Sequence, residues 1–163
     1  MTSLQGHLLV AAQMPIDPDL ARSVILLIQH SPEQAFGVVV NRPSVATVEE
    51  LWKQQIKGPC DIDRPVNTGG PAPGPIMAVH GCRELAELEI LPGVYYSIKK
   101  KDLQKLVRKP DSPLKIFDSH AGWGPGQLEE QIDAGDWQVT AATPEHVFGD
   151  DPQLWETLAE SSS

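Results

Sequence analysis

Three features of this 163-residue sequence predict an α+β domain with a largely antiparallel sheet. Short apolar runs at residues 8–12, 24–29 and 36–40 follow one another closely, and the tetrapeptide Ser31-Pro32-Glu33-Gln34 between the last two suits a hairpin turn. Later strand-type and helix-type segments mix without the regular alternation of a doubly wound sheet. Fifteen prolines and thirteen glycines imply many turns and short elements. The length fits one domain, residues 1–160, followed by a disordered Ser161-Ser162-Ser163 tail.

Each element has a local reason. Leu8-Leu9-Val10-Ala11-Ala12 reads as a buried strand, broken at Met14-Pro15-Ile16-Asp17-Pro18 because proline cannot donate to a ladder. Residues 24–29 and 36–40 are the two strands of the hairpin, and Asn41-Arg42-Pro43 ends the second. A helix starts at Ser44 or Thr47. Thr47 with Glu50 three residues on fits a capping box, and Leu51 and Trp52 fall on the face to be buried. Gly58-Pro59 stops it. Val66 opens a short strand into Asn67-Thr68-Gly69-Gly70-Pro71, a sharp chain reversal. The alternating Pro71, Pro73 and Pro75 suggest extended, polyproline-like chain. Residues 76–80 and 93–98 read as strands, and 99–109 as a basic helix with Leu103, Leu106 and Val107 as its apolar stripe. Strands at 114–117 and 137–141 follow, then a helical turn at 144–148. A last helix capped by Asp151-Pro152 carries Leu154, Trp155 and Leu158.

The most informative stretch is Ala121-Gly122-Trp123-Gly124-Pro125-Gly126-Gln127-Leu128-Glu129. An apolar run leads in and a helix-like stretch, 127–134, leads out, so the glycines are expected where a strand turns into a helix. Backbone N–H groups there, with Trp123 as a wall and Gln127 at the helix start, could hold an anion or small molecule. The other reading of Gly122, Gly124 and Gly126 is a tight structural turn with Trp123 in the core. The loop lacks a P-loop lysine and the dinucleotide glycine spacing. His30 and Asn41 end two strands expected to pair, which places them near one sheet edge and able to share a polar cleft. The other reading has them satisfying backbone groups at turns. Asp118-Ser119-His120 is no triad by adjacency, since neighbours on a strand point to alternate faces. His80 and Cys82 could begin a metal site with Cys60 or Asp61, but nothing fixes that spacing. His80 is expected at the surface or in a turn.

Charge narrows the partners. The formal net charge is −9, and residues 117–163 hold ten acidic residues with no Lys or Arg. Residues 99–109 hold six of the thirteen basic ones. An acidic chain repels nucleic-acid phosphate unless a local patch overrides the field, so direct DNA binding is disfavoured. Only Lys99, Lys100, Lys101, Lys105, Arg108 and Lys109 could supply such a patch. Cys60 and Cys82 make no disulfide framework and suit free thiols in a reducing cytosol. Residues 1–6 carry no positive charge and no apolar run approaches a membrane span, so a cytoplasmic protein away from the membrane is expected.

Four ordered blocks carry a resemblance. They are Gly6-His7-Leu8-Leu9-Val10-Ala11-Ala12 with Arg22-Ser23-Val24-Ile25, then Gly37-Val38-Val39-Val40-Asn41-Arg42-Pro43, then Gly69-Gly70-Pro71, and last residues 121–129 with Gly135-Asp136-Trp137. The set resembles the YqgE/AlgH family of bacterial cytosolic proteins over about residues 4–155. The resemblance implies one compact α+β domain whose largely antiparallel sheet is bifurcated and partly barrel-like, with flanking helices. It also brings the label of transcriptional regulator, but no catalytic residues to carry over. Ser119-His120 and Ala72 depart from the family's usual residues. The sequence thus predicts a regulatory or binding protein, leaning away from catalysis, with no cofactor or metal. It would act through an unknown protein partner or a small anionic ligand. The alternative is a small-molecule binder or enzyme that uses loop 122–127.

Overall fold

The computed structural model describes residues 3–12, 22–56, 60, 64–109, 112–149 and 153–161. Ten strands form one connected sheet: β1 (His7–Ala11), β2 (Val24–His30), β3 (Ala35–Val39), β4 (Pro43–Thr47), β5 (Pro65–Asn67), β6 (Ala72–His80), β7 (Leu88–Leu91), β8 (Val94–Ser97), β9 (Leu114–Trp123) and β10 (Trp137–Ala141). The main path runs β10-β1-β2-β3-β9-β6-β8-β7 with antiparallel neighbours, and it curls into a half-barrel. The branch β4–β5 joins β9 through the parallel pair Asn67 and Phe117, which makes the sheet bifurcate as expected. Five short helices flank it: α1 (Val48–Leu51), α2 (Lys100–Leu106), α3 (Gln127–Asp133), α4 (Pro144–Phe148) and α5 (Leu154–Ser161). Among the described residues no helix is long and apolar enough to cross a membrane.

The continuous apolar runs are explained by burial on both sides of the sheet. Leu8, Val10, Val24, Leu26, Ile28 and Val38 point into the curl, with Met77, Val79 and Phe117. Val147, Leu154 and Leu158 of α4 and α5 close that interior. Alternate residues Leu9, Ile25, Leu27 and Val39 point outward to a second cluster under α3, with Trp123, Leu128 and Trp137. A third cluster lies outside β6 and β9, where Leu51, Trp52, Leu103 and Leu106 pack on Ala78 and Ile116.

Several elements differ from expectation. Of the alternating prolines, Pro73 and Pro75 belong to β6: Ala72 and Pro73 pair with His120 and Ser119, and the register slips before Met77 resumes opposite Phe117. Prolines contribute no N–H, so the ladder breaks there without losing the strand. Strands β4 and β7 give no signal, being four or five residues long and half exposed. Thr47 does cap α1, accepting from the Glu50 N–H at 3.2 Å, but the helix continues as a π-helical turn, Trp52–Ile56. The basic helix is shorter than expected, with Lys99 as its cap residue. Ser161, expected in a disordered tail, ends α5. The breaks at 14–18 and 58–59, the cap at 151–152 and the tail at 162–163 lie outside the described residues.

Gly69 and Gly70 lie flat against β9. A Cβ on Gly69 would stand 2.1 Å from the Ser119 carbonyl oxygen, and one on Gly70 2.3 Å from the His120 carbonyl carbon. The Gly69 carbonyl accepts from Val39 N–H at 2.7 Å, and its N–H donates to Ser119 Oγ at 3.0 Å. This segment therefore continues the link between β3 and β9 beyond their direct pairs at residues 35–37 and 121–123.

Candidate functional site

The glycine-rich stretch starts later as a turn than its composition suggests. Gly122 and Trp123 are the last two residues of β9, so the reversal is confined to Gly124, Pro125 and Gly126. Gly124 N–H donates to Gln127 Oε1 at 2.7 Å, Gln127 N–H donates to the Gly124 carbonyl, and Pro125 has no N–H. Gly126 takes the left-handed conformation, φ +73, at the start of α3. Trp123 is 7 % exposed and meets Trp137 edge to face, ring centroids 6.3 Å apart. Both indole N–H groups donate to Gln131 Oε1, at 3.0 and 2.9 Å. The Gly124, Gln127 and two indole N–H groups thus bond to the loop and to α3.

His30 and Asn41 do not share a cleft. Antiparallel strands end at opposite edges, so His30 lies beside Ala35 at the hairpin turn, and Asn41 lies beside Val24 at the far end. The His30 ring accepts the Leu4 N–H at Nδ1 (2.8 Å), which leaves Nε2–H to donate to Glu129 Oε1 at 2.9 Å. Asn41 accepts from Val24 N–H and donates to the Arg22 carbonyl, both at 3.0 Å. Ser119 donates to Asp118 at 3.2 Å, whereas His120 turns to the other face, its ring 6.2 Å from Phe36.

His80 is fully buried, not at the surface. Ser97 Oγ donates to the Leu85 carbonyl at 2.6 Å, so it accepts from His80 Nε2–H at 2.9 Å. Nδ1 accepts from Cys82 N–H at 3.0 Å. Burial lowers the His80 pKa from 6.5 to about 4, against the opposing pull of Asp102 and Glu87. Among the described residues no group of three or more His, Cys, Asp or Glu could hold a metal ion. The six basic residues at 99–109 are all exposed, and Lys101 and Lys105 share the face of α2 opposite Leu103 and Leu106.

A cavity of about 770 Å³ lies elsewhere, where β3, β5 and the start of β9 meet Phe148, Gly149 and Leu154. A volume of this size suits a small molecule. Lys115, flanked by the outward-facing Leu114 and Ile116, points into the curl beside Phe117 and is only 9 % exposed. Its Nζ donates to the Val40 carbonyl at 2.7 Å and the Gly149 carbonyl at 3.4 Å. Arg64 stands on the same wall, where Nη1 donates to the Ser112 and Leu114 carbonyls at 3.4 and 3.2 Å. Asn67, 5 % exposed, and Asn41 also line the cavity, and Asn41 is the one sequence-predicted site residue found there. Sequence reasoning missed Lys115. The signal was present: a single lysine inside the apolar run Leu114-Lys115-Ile116-Phe117, where burying a charge is costly. Arg64, in an ordinary Asp-Arg-Pro context, gave none.

Comparison with known proteins gives a consistent picture. The AlgH-like family model matches residues 8–163. A UPF0301 protein of Myxococcus xanthus is 37% identical over 162 residues, covering 96% of this chain and 90% of that protein. A UPF0301 protein of Streptomyces avermitilis is 34% identical and covers 95% of this chain and 84% of its own length. The solution structure of the AlgH protein from Pseudomonas aeruginosa superposes with a TM-score of 0.81 at 26% identity, covering 99% of this chain and 89% of that one.

Proposed function

The chain belongs to the AlgH-like family, and from that premise we propose that it is a non-catalytic binding protein whose ligand is a small anion held in the cavity beside Lys115 and Arg64. The observation that carries this reading is the cavity of about 770 Å³, on whose wall Lys115 and Arg64 both stand beside Asn41 and Asn67. The cavity supports this site over loop 122–127, whose Gly124 and Gln127 amides already bond within the loop. Any regulatory role would follow from occupancy of the cavity, passed to a protein partner. A cytosolic setting suits thiols such as those of Cys60 and Cys82, which are not joined in a disulfide.

The test is a titration of the isotope-labelled full chain with acetate and with inorganic phosphate, read by amide chemical shifts. Shifts are expected at Val40, Asn41, Asn67, Leu114, Lys115 and Gly149, with affinity reduced at least about tenfold in Lys115→Met and unchanged in Gln127→Ala. Shifts centred on Gly124 to Glu129, or none at either place, would overturn the assignment.

A further inference from the structure

We propose that the outer edge of β10 is a docking surface for the β10 of a second copy of this chain, the two strands pairing antiparallel about a two-fold axis at Val139. No residue of β10 lines the cavity, so this surface is separate from the anion site.

Among the described residues the branched sheet has three free edges, β4, β7 and β10. An unpaired edge is a template for another strand, and proteins blunt such edges with proline, charge, bulges or short strands. Two of the three are blunted. In β4 Pro43 has no N–H, Ala46 N–H donates to Ser44 Oγ at 3.2 Å, and the register shifts between Pro43 and Thr47. β7 has four residues and a register shift, and its Glu89 carbonyl accepts from Gln5 Nε2 at 3.2 Å. β10 has none of these devices. Trp137-Gln138-Val139-Thr140-Ala141 carries no charge and no proline, and it pairs with β1 without a shift. Leu128 of α3 shares a cluster with Trp137 on one face of β10, and no described strand lies along its outer edge.

Hydrogen-bond parity fixes which groups are free. Ala11 N–H donates to the Ser23 carbonyl on the β2 side at 3.0 Å, and Ala12 N–H to the Asp136 carbonyl on the β10 side at 2.9 Å. Backbone groups alternate sides along an antiparallel strand, so Leu8 and Val10 bond their partners Thr140 and Gln138. The N–H and C=O groups of Trp137, Val139 and Ala141 therefore point to the outer edge, and none of them bonds there to another described residue. A second copy with its Val139 opposite Val139 sets Ala141 opposite Trp137 at both ends. All three pairs are then of the kind that exchanges both N–H···O bonds, so self-pairing satisfies every free group of the edge.

Side chains agree with this register. Val139 meets Val139, the large Trp137 meets the small Ala141, and on the other face Gln138 meets Thr140. Asp136 comes opposite Ala142 and not opposite its own copy. Residues 137–144 are uncharged within a segment, 117–163, that holds ten acidic residues and no Lys or Arg. Two acidic copies can touch here without setting like charges against each other. Such an interface is isologous and closes at two copies.

The experiment is sedimentation equilibrium of the full chain from about 10 µM to 1 mM, at low and high salt, with amide hydrogen exchange on the same samples. A dimer is expected. Two copies of charge −9 repel while the contact itself is uncharged, so salt should strengthen it. In the dimer the amides of Trp137, Val139 and Ala141 should gain protection, while those of Gln138 and Thr140, already bonded to β1, stay unchanged. Ala141→Pro removes one outward N–H per copy and spares the bonds to β1, and it should weaken the dimer at least about tenfold. Should that variant distort β10, Gln138→Lys with Thr140→Lys sets lysines opposite one another and should leave a monomer. A chain monomeric at every concentration would rule out a second copy as the occupant. A dimer whose 137, 139 and 141 amides exchange as in the monomer, or one equally tight in both variants, would place the contact on another surface. Protection of those amides at every concentration would show the edge covered within one copy, and would equally overturn the proposal.

Discussion

At the Trp123 end of β9 two loop amides and two indole N–H groups bond to close neighbours, whereas the Lys115 end lines a cavity. The two ends are eight residues apart, about 26 Å along the strand. The Trp123 end is conspicuous in the sequence, because glycine, proline and tryptophan cluster within a few positions. In the structure its Gly124 and Gln127 amides and both indole N–H groups donate within the loop or to α3. The Lys115 end is quiet in the sequence, because its walls come from segments around residues 40–43, 64–67 and 112–115 and from residues 148, 149 and 154. A turn concentrates unusual residues locally, since backbone angles are a local property. A cavity is a non-local property, and no spacing announces it.

The segment that holds the two ends together should be the most sensitive to change. Gly70→Ala places a Cβ 2.3 Å from backbone of His120, which no rotamer can relieve. We expect a loss of at least about 4 kcal/mol in urea unfolding, with the tryptophan signal and anion binding lost together. A stable Gly70→Ala protein that kept one end and lost the other would show that the ends are independent.

Acid should separate them next. The folded state holds His80 neutral down to about pH 4, while an unfolded histidine takes up a proton near 6.5. Between these values the unfolded chain binds the extra proton. Stability is therefore full above about 6.5 and falls as pH drops towards 4, by about 3 kcal/mol in all. His80 pairs with Leu114, next to Lys115. Amides of residues 77–80 and 114–117 should lose hydrogen-exchange protection first, with those around Trp123 unchanged. His80→Gln should flatten the pH slope; an unaltered slope would show that another group sets it.

Much of the fold was legible because its signals are local or periodic. The runs at β1, β2 and β3 read as strands since both faces are buried, and their residues alternate between the inner and outer clusters. The Thr47 cap read correctly from two residues. The half-exposed strands β4 and β7 left no pattern to read. In β6 proline spacing imitated a polyproline segment, and only pairing with β9 made it a strand. His30 and Asn41 were singled out as strand ends, but antiparallel geometry itself separates them. Of the cavity lining, the sequence marks Asn41 alone, because Lys115 sits in a run, residues 114–117, that otherwise reads as apolar.

The smallest expected effect bears most directly on the contrast between the two ends. Gly126 has φ +73, and a Cβ there would meet nothing within 4 Å. Gly126→Ala should therefore cost only the strain of a left-handed alanine, about 1 kcal/mol in urea unfolding. Gly126→Asn should cost less, because asparagine tolerates that conformation. If the loop is a turn, acetate and phosphate affinities stay at the wild-type value in both variants, since the cavity lies at the other end of β9. A loss of anion binding in a folded Gly126→Ala protein would couple the loop to the ligand, and the division of β9 into a structural end and a binding end would have to be abandoned.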